Sequence, residues 1–364
     1  YIPSDTNDEG ILKATASGVL PSGQPVIVNA DGTVSVVSET SPSESLGSDV
    51  TFSAATTAWV TSAFDSTNNK VVVAWSDGGN SSYGSARVGT IDPSDNSISW
   101  GTEVTFVSSA VQYVSACFDS ANGKIVIAYQ AQGDAFQCKA IVGTVSGTDI
   151  SFGNSVALTS GETKWINIAY DTSASKVVVA YWTSGTNVGK ARVGTVSGTG
   201  ISFGTEASTV AGIVQGAVVY HAAAARIVVA GRLDGNTANS AVGVVSGTNI
   251  SFGSATAYGT ANAQKNNNSL GYDSASEKVV VFYRDEGANG DGKASVGTVD
   301  ASDNSIAFAT AVTVTTDTTD KTAVQGFSTA GKIIFVYSDT DNTKGDLKVG
   351  TISGTTLSVG SELN

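Results

Sequence analysis

Short apolar runs alternate with polar turns along most of the chain, and one run recurs six times. Each copy begins with Lys or Arg and spans six residues, as in KVVVAW, KIVIAY and KVVVAY. Runs of this length, rich in β-branched residues and bounded by Gly, Ser, Asn and Asp, predict strands. Because no segment keeps the i, i+3, i+4, i+7 period of an amphipathic helix, the pattern predicts an all-β protein. The copies occupy residues 70–75, 124–129, 176–181, 226–231, 278–283 and 332–337.

Each apolar run belongs to a longer unit of about 50 residues, which indicates an internal repeat. A short alternating strand ending in an aromatic and Asp comes first, followed by a four-residue turn and the apolar strand. A polar loop then leads to a Val-Gly-Thr strand, and a tight turn leads to a fourth strand such as ISFG. The Val-Gly-Thr triplet, or Val-Gly-Val in one copy, begins at 88, 142, 193, 242, 296 and 349.

Four antiparallel strands per unit form a small sheet that cannot bury both of its faces alone, whereas six such sheets arranged radially can. We therefore predict a six-bladed β-propeller over residues 46–364. A linear β-solenoid is the alternative, although its rungs are usually shorter. The segment LGSDVTF at 46–52 has the pattern of WGTEVTF at 100–106. We expect it to supply the end of a fourth strand where blade 6 meets blade 1, near the C-terminus.

The first 45 residues have a different pattern. Strand-like runs separated by PSGQP and NADG predict a small β module over residues 1–37, with a hairpin at the Asp-Gly pair. The segment SETSPSES at 38–45 is predicted to be a polar linker. Because the chain starts at Tyr1 and contains no Met, we expect the N-terminus to be processed or incomplete.

Charge excludes several partners. Charged residues make up only 14% of the chain, and 32 acids outnumber 19 bases for a net charge of -13. Nucleic acids and anionic membranes select clustered Lys and Arg, so neither is an expected partner. No apolar run approaches 18 residues, and membrane insertion is not expected.

Candidate catalytic groups are few. The single histidine, His221, stands where other units have Asp, and we interpret it as a turn residue. The repeated Asp suits a turn, and the Lys five residues later could pair with it. No zinc-ligand cluster is present, so we predict no catalytic residue, no cofactor and no metal. Oxygen-rich loops make Asp285, Asp291, Asp339 and Asp341 calcium candidates, although turn-forming residues give the same pattern.

The two cysteines are predicted to be free. Cys117 falls in the first strand of blade 2 and Cys138 in the third, with the second strand between them. Two inter-strand steps of about 4.8 Å exceed the Cα separation of roughly 7 Å that a disulfide tolerates.

One face of the propeller varies while the scaffold repeats. Strand direction gathers the starts of the first strands and the ends of the second strands on this face. Flat aromatic rings beside polar groups suit sugar rings, so the face is a candidate ligand-binding surface; the alternative is that its aromatics seal loops against the core. Blades 1 to 3 begin with Trp59, Tyr113 and Trp165, and the corresponding positions of blades 4 to 6 are Gln215, Asn267 and Thr322. The second strands end at Ser76, Gln130, Trp182, Arg232, Arg284 and Ser338. The candidate ligand-binding residues are Trp59, Tyr113, Trp165, Trp182, Arg232 and Arg284.

Two stretches carry a resemblance. ASGVLPSGQPVIVNADGTVSVV resembles an N-terminal β module of tailed-bacteriophage structural proteins. The units built as D-x4-KVVVAY, VGTVSGT and ISFG are similar to propeller repeats of phage virion proteins and environmental bacterial proteins. The resemblance implies a non-enzymatic protein on the virion surface or an appendage, attached to other virion proteins by the N-terminal module. The propeller would then face outwards, towards a host-surface glycan. The chain could also assemble with further copies of itself into a homo-oligomer.

Two alternatives stay open. A secreted bacterial lectin-like or surface-assembly propeller would be extracellular and would show the same repeats. A glycan-cleaving enzyme of the sialidase kind would need Asp-box turns and an arginine cluster. The segment SDGGNSSYG lacks the Asp-box tryptophan, and four of the five arginines fall at repeat-equivalent positions. A glycosidase using two carboxylates is not decided by sequence.

Overall fold

The computed structural model divides the chain into two compact units, residues 1–48 and 49–364. The predicted linker at 38–45 lies outside the described residues. Within the described part, no helix is long and apolar enough to span a membrane. The structure describes residues 15–19, 26–36, 47–184, 189–209, 214–232, 238–259, 265–327 and 331–363.

The N-terminal unit contains a three-stranded sheet in the order β1-β3-β2. Its strands are β1 (Thr15–Ala16), β2 (Val26–Val28) and β3 (Thr33–Val36). β2 and β3 are antiparallel, and their turn has Gly32 at a φ of 81°, a conformation that favours glycine. Asp31 Oδ1 accepts the backbone N–H of Thr33 at 2.9 Å, which fixes the turn. The hairpin predicted at the Asp-Gly pair is therefore confirmed.

Residues 49–364 form a six-bladed β-propeller, and each blade is an antiparallel sheet of four strands consecutive in the chain. After the fourth strand, the chain returns to pair briefly with the third strand, as a separate short strand or as the start of the next blade. Blades 1 and 2 contain β4 (Thr57–Asp65), β5 (Lys70–Asp77), β6 (Tyr83–Asp92), β7 (Ser97–Trp100), β8 (Val104–Asp119), β9 (Lys124–Ala131), β10 (Gln137–Ser146), β11 (Asp149–Phe152) and β12 (Val156–Ala157).

Blades 3 and 4 contain β13 (Thr163–Asp171), β14 (Lys176–Thr183), β15 (Gly189–Ser197), β16 (Gly200–Phe203), β17 (Ala207–Ser208), β18 (Val214–His221), β19 (Arg226–Arg232), β20 (Ala238–Ser246), β21 (Asn249–Phe252) and β22 (Thr256–Ala257). Blades 5 and 6 contain β23 (Lys265–Asp273), β24 (Lys278–Asp285), β25 (Asp291–Asp300), β26 (Ser305–Phe308), β27 (Val312–Gly326), β28 (Lys332–Asp339), β29 (Lys344–Ser353) and β30 (Thr356–Leu363). Two 3₁₀ turns lie at Gly78–Asn80 and Glu286–Ala288.

The second strands supply the core between blades. A strand covered by neighbouring sheets on both faces is apolar throughout, and the recurring apolar run has this character. Its third position is fully buried in five blades, at Val72, Val126, Val178, Val228 and Val280.

The repeated Asp and Lys have separate structural roles. Asp65 Oδ1 accepts the backbone N–H groups of Thr67 at 2.9 Å and Asn68 at 3.0 Å, so it holds the turn as predicted. Lys70 does not form the pair with Asp that the spacing suggested; its Nζ donates to Thr90 Oγ1 at 2.7 Å. Lys124 and Lys332 make the same contact with the threonine of their own Val-Gly-Thr. The lysine therefore ties the second strand to the third.

The predicted closing segment forms no strand, but it packs as the residues that follow a fourth strand do in other blades. Phe52 contacts Trp75 and Trp100 edge-on, with ring centroids 5.2 and 6.0 Å apart. Phe106 makes the same two kinds of contact one blade further on. Residues 47–56 lack strand hydrogen bonds, and β30 pairs with β29 instead. The expectation of a strand end at 46–52 was wrong, while the aromatic contact that such a tail makes is present.

Blades 6 and 1 border an open cleft of about 1220 Å³. Apolar side chains from both blades line it, and Trp59, Val60 and Val336 are 42%, 49% and 43% exposed. At the other blade junctions, first strands contact one another directly, as where Ala116 N donates to Thr61 Oγ1 at 3.2 Å. The start of blade 1 is consequently more exposed than the starts of blades 2 and 3.

Both thiols are free and buried. Cys117 lies in β8 and Cys138 in β10, with β9 hydrogen-bonded between them, as the predicted strand order required. Burial raises the pKa of each thiol far above its usual range, so neither is a reactive thiolate at neutral pH.

Candidate functional site

A β-bulge near the start of the first strand positions the predicted aromatics. In blades 1 to 3, two residues of this strand lie opposite one residue of the second strand. The first residue of each bulge is Trp59, Tyr113 or Trp165, with φ of 52°, 49° and 50°. A bulky side chain in the left-handed region costs on the order of 1–3 kcal/mol, and such strain clusters at functional sites. Three blades repeat this unfavourable conformation with a large ring.

The four predicted aromatics form one continuous series. Ring centroids are 4.2 Å apart between Trp59 and Tyr113, and 6.3 Å apart between Tyr113 and Trp165. Trp165 meets Trp182 edge-on at 5.3 Å. We call Trp59, Tyr113, Trp165 and Trp182 the aromatic ladder. Trp59 is exposed and the other three are half-buried, so the ladder presents ring surface to solvent across three blades.

An ion pair flanks the ladder at blade 3. Lys164 Nζ lies 2.9 Å from Glu162 Oε1 and 5.7 Å from the centroid of the Trp182 ring. The hydrogen bond to Glu162 raises the pKa of Lys164, and the same bond lowers the pKa of Glu162. Burial raises the pKa of Tyr113, which therefore stays neutral at physiological pH. The ladder thus has charged hydrogen-bonding groups beside neutral rings.

Trp182 differs from its counterparts in blades 1 and 2. Ser76 and Gln130 are buried, and Gln130 Nε2 donates to the Thr163 carbonyl between blades. In blades 1 and 2 the residue that ends the second strand faces the core, so the prediction that it contributes to the variable surface is wrong for these blades. Within the described residues, Trp182 Nε1 has no hydrogen-bond partner. The indole of Trp182 is held by its contact with Trp165 and by Lys164 over its ring.

The two predicted arginines lie on other blades. Arg284 Nε is 2.8 Å from Glu286 Oε1, and its Nη1 donates to the Thr319 carbonyl at 3.1 Å. Its guanidinium is therefore used to hold loops of blades 5 and 6. Arg232 ends β19 and is half-buried. The structure joins the four aromatics to one another, and Arg284 belongs to a separate set of contacts.

The predicted blade 6 counterpart, Thr322, is a paired strand residue and does not lie in the bulge. Thr319 pairs with Asp339 and Thr322 with Tyr337, so the bulge of blade 6 consists of Asp320 and Lys321 opposite Ser338. Lys321 is exposed and pairs with Asp320 at 3.0 Å. The side chains of the predicted counterparts Gln215 and Asn267 lie outside the described residues.

The four calcium candidates take part in turn hydrogen bonds, an ion pair or strand pairing. Asp285 accepts the N–H of Gly287 at 3.1 Å and lies 3.3 Å from Lys293 Nζ. Asp339 accepts the N–H of Asp341 at 2.8 Å, and Asp341 accepts that of Thr318 at 2.9 Å. Asp291 stands opposite Asp285 in the β24–β25 pair. Among the described residues, no group of three or more His, Cys, Asp or Glu side chains could hold a metal ion.

His221 holds its turn as the aspartates of other blades do. The Ala224 N–H donates to Nδ1 at 3.1 Å, which leaves Nε2 to donate to the Glu277 carbonyl at 3.2 Å. The ring is buried, with Tyr272 against it at 4.6 Å and Glu277 and Lys278 nearby. Burial lowers the pKa of His221 below its usual 6.5. The neutral imidazole is therefore part of the folded state.

We expect stability to fall between pH 7 and pH 5 in the parent and to fall less in His221→Asn. Below pH 6.5 the unfolded chain binds a proton that the folded His221 resists, so acid favours unfolding. Asn keeps an acceptor for the turn and does not titrate. Urea unfolding at pH 5, 6 and 7 measures the difference. Because His221 is the single histidine, equal pH slopes for parent and variant would show that it does not titrate as described.

Sequence reasoning missed the polar groups beside the rings. Glu162, Lys164 and Asn167 surround Trp165 in the chain, yet each resembles an ordinary polar strand residue. Asn167 Nδ2 donates to the Gly216 carbonyl of blade 4 at 2.6 Å. Their position beside Trp165, in the blade whose second strand ends with Trp182, was the available signal.

Neither protein-family models nor curated protein sequences match this chain. Solved structures share its fold. The periplasmic gluconolactonase PpgL of Pseudomonas aeruginosa aligns with a TM-score of 0.60 at 12% identity, over 84% of each chain. AofleA from Arthrobotrys oligospora aligns at 0.52 and 9% identity, covering 84% of this chain and 88% of that one. A fungal lectin, Aleuria aurantia lectin, with a six-bladed β-propeller and a novel fucose recognition mode, aligns at 0.50 and 13% identity, over 84% of this chain and 94% of that one. At such identities the likeness establishes the propeller fold alone.

Proposed function

We propose that the protein is a non-enzymatic carbohydrate-binding propeller that attaches a tailed-phage particle to glycans of its host surface. The observation that carries the proposal is the aromatic ladder. One exposed ring and three half-buried rings on three adjacent blades supply flat apolar surface, and sugar rings pack their C–H faces on such surfaces. Glu162 and Lys164 supply hydrogen bonds for hydroxyl groups beside the rings.

The geometry favours binding over simple sealing of the core. Core-sealing aromatics of this propeller are fully buried, as Trp75 and Tyr129 are. Trp59, Tyr113 and Trp165 sit on strained backbone, and all four ladder rings keep some exposed surface; Tyr113 also packs partly against the core. A surface selected for contact with a ligand accounts for both.

The neighbouring folds are compatible with this function. Fucose recognition is stated for Aleuria aurantia lectin, so a six-bladed propeller can carry a sugar site. The identity of 13% transfers no residue and no sugar to this chain. We propose no enzymatic activity, because the repeated aspartates hold turns and Arg284 holds loops.

The virion location rests on the N-terminal sequence. In this proposal residues 1–37 attach the protein to other virion proteins, and the propeller faces outwards. Antibody labelling of intact phage particles would show the protein on the surface. Its absence from purified particles would favour the secreted lectin-like alternative.

A glycan array tests the binding function directly. We expect the full chain to bind a restricted set of neutral glycans, because an acidic protein of net charge -13 repels anionic ones. The double variant Trp165→Asn/Trp182→Ser should lose these signals while remaining folded. Asn and Ser are found at equivalent positions of other blades. A folded parent that binds no glycan, or a double variant with the parent's profile, would contradict the proposal.

A further inference from the structure

Two positions fill the space between neighbouring blades with apolar side chains at four of the five junctions between consecutive blades, and blade 1 has the same pair of contacting side chains. One position lies on the tail that follows the fourth strand, and the other is the last residue of the recurring apolar run. Where these side chains meet they form the outer part of the inter-blade core, as Tyr258 and Tyr283 do with ring centroids 5.5 Å apart. The five pairs are Phe52 with Trp75, Phe106 with Tyr129, Leu158 with Tyr181, Tyr258 with Tyr283, and Val314 with Tyr337.

The junction of blades 3 and 4 departs from this rule at both positions. Thr209 replaces the large apolar residue, and Gly231 replaces the aromatic. The register identifies the equivalence: Thr209 N donates to Gly189 O as Leu158 N donates to Cys138 O, and Gly231 pairs with Asn239 as Tyr181 pairs with Lys190. Two large side chains are thus missing from one interface.

A pocket lies at this junction beside Thr209, and Gly231 is not one of its lining residues. Trp165, Asn167, Thr209, Gly216 and Val229 are among its lining residues. It has room for roughly one water-sized group. Thr209 is 1% exposed, and among the described residues its Oγ1 has no hydrogen-bond partner. A buried hydroxyl without a partner costs about 1–3 kcal/mol, so this pocket is incomplete without a polar occupant.

The pocket adjoins the aromatic ladder and has braced walls. Trp165 belongs to both. Asn167 ties blade 3 to the Gly216 carbonyl at 2.6 Å. On the other side, the Tyr181 hydroxyl is 2.8 Å from Glu206 Oε2, and Lys190 Nζ is 3.4 Å from Glu206 Oε1. Lys190 is therefore neutralised by its own blade and does not mark the pocket as an anion site.

We propose that this pocket receives the exocyclic hydroxymethyl group of a hexose whose ring stacks on Trp165. The inference rests on the proposed carbohydrate-binding function and specifies its ligand. The pocket has room for the terminal hydroxyl of this group, with its carbon at the mouth, and excludes insertion of a whole sugar ring. The unpartnered Thr209 hydroxyl requires a hydrogen-bonding group, which a 6-deoxy sugar lacks. The balanced charge of Lys190 and the acidic chain disfavour a uronic acid.

The test compares sugars that differ only at this group. Methyl glycosides of glucose, galactose and mannose, each beside its 6-deoxy counterpart, are titrated against the full chain by ligand-observed NMR. The parent should prefer the hydroxymethyl sugar of at least one pair by about fivefold or more, as expected for one buried hydrogen bond. Thr209→Val keeps the shape without the hydroxyl and should remove the preference. Thr209→Leu restores the residue found at the neighbouring junction and should abolish binding of the preferred sugar.

A second measurement shows that the filled variant is folded. Thr209→Leu removes an unpaired hydroxyl and fills space, so its melting temperature should equal or exceed that of the parent. Equal affinity for both members of all three pairs, or undiminished binding by folded Thr209→Leu, would overturn the pocket assignment. It is also overturned if the parent binds none of the six glycosides. Loss of binding in Trp165→Asn/Trp182→Ser with full binding in Thr209→Leu would uphold the proposed function and reject the pocket alone.

Discussion

Gly204→Ala is expected to lower the free energy of unfolding by about 3 kcal/mol, the upper part of the usual range for overpacking. Gly204 follows the fourth strand of blade 3, and its Cα faces the tight turn of blade 4. A Cβ added there would lie 1.8 Å from the Thr248 carbonyl oxygen and 2.8 Å from the Thr248 carbonyl carbon. Both atoms are backbone, so the two blades must separate to admit the methyl group. Urea unfolding followed by circular dichroism measures the loss.

Gly133→Ala is the matched control. No atom lies within 4 Å of a Cβ built on Gly133, and its φ is not positive. We expect its stability to remain within about 0.5 kcal/mol of the parent. The glycine that follows the fourth strand makes the same close approach to a backbone carbonyl oxygen at three other junctions, through Gly101, Gly153 and Gly253. Parent-like stability of Gly204→Ala would mean that blades 3 and 4 are not packed as described.

Trp165→Asn is expected to weaken glycan binding by about 30-fold or more, the loss typical of an aromatic hot spot. Trp165 contacts two other rings of the ladder, Tyr113 on blade 2 and Trp182 on its own blade 3. Asparagine tolerates the φ of 50° better than tryptophan does, so the bulge should persist without the ring. Isothermal titration with the strongest glycan from the array measures the affinity.

Ile91→Asn is the control for removing an exposed apolar side chain elsewhere. Ile91 is 46% exposed and ends the third strand of blade 1, away from the ladder. Its affinity for the same glycan should equal that of the parent. If Trp165→Asn and Ile91→Asn bind alike, the ladder is not the binding surface.

The blade architecture was predictable because it is enforced at every copy of the repeat. In Val-Gly-Thr, a Cβ on Gly194 would lie 2.9 Å from both Ile201 and Phe203, so the glycine and the ISF strand are required together. Apolar second strands and turn-forming aspartates recur for equally local reasons. Periodicity therefore identified the strand order, the number of blades and the strand that separates Cys117 from Cys138.

Features that depend on one junction were not predictable. The closing segment matches a blade tail in sequence, yet β30 already pairs along β29, which leaves residues 47–56 without a strand partner. The blade 6 counterpart of Trp59 was misplaced because the bulge of that blade lies opposite Ser338, one position further along the second strand than in blades 1 to 3. Sequence likewise located the four aromatics but could not show that bulges bring their rings into contact.

Fluorine NMR of the protein labelled with 5-fluorotryptophan tests the central claim most directly. The chain has five tryptophans: three belong to the ladder, while Trp75 is fully buried and Trp100 packs against Phe52. On titration with an array-selected glycan, we predict that the resonances of Trp59, Trp165 and Trp182 shift and those of Trp75 and Trp100 stay in place. Saturable binding that leaves all three ladder resonances unchanged would contradict the account.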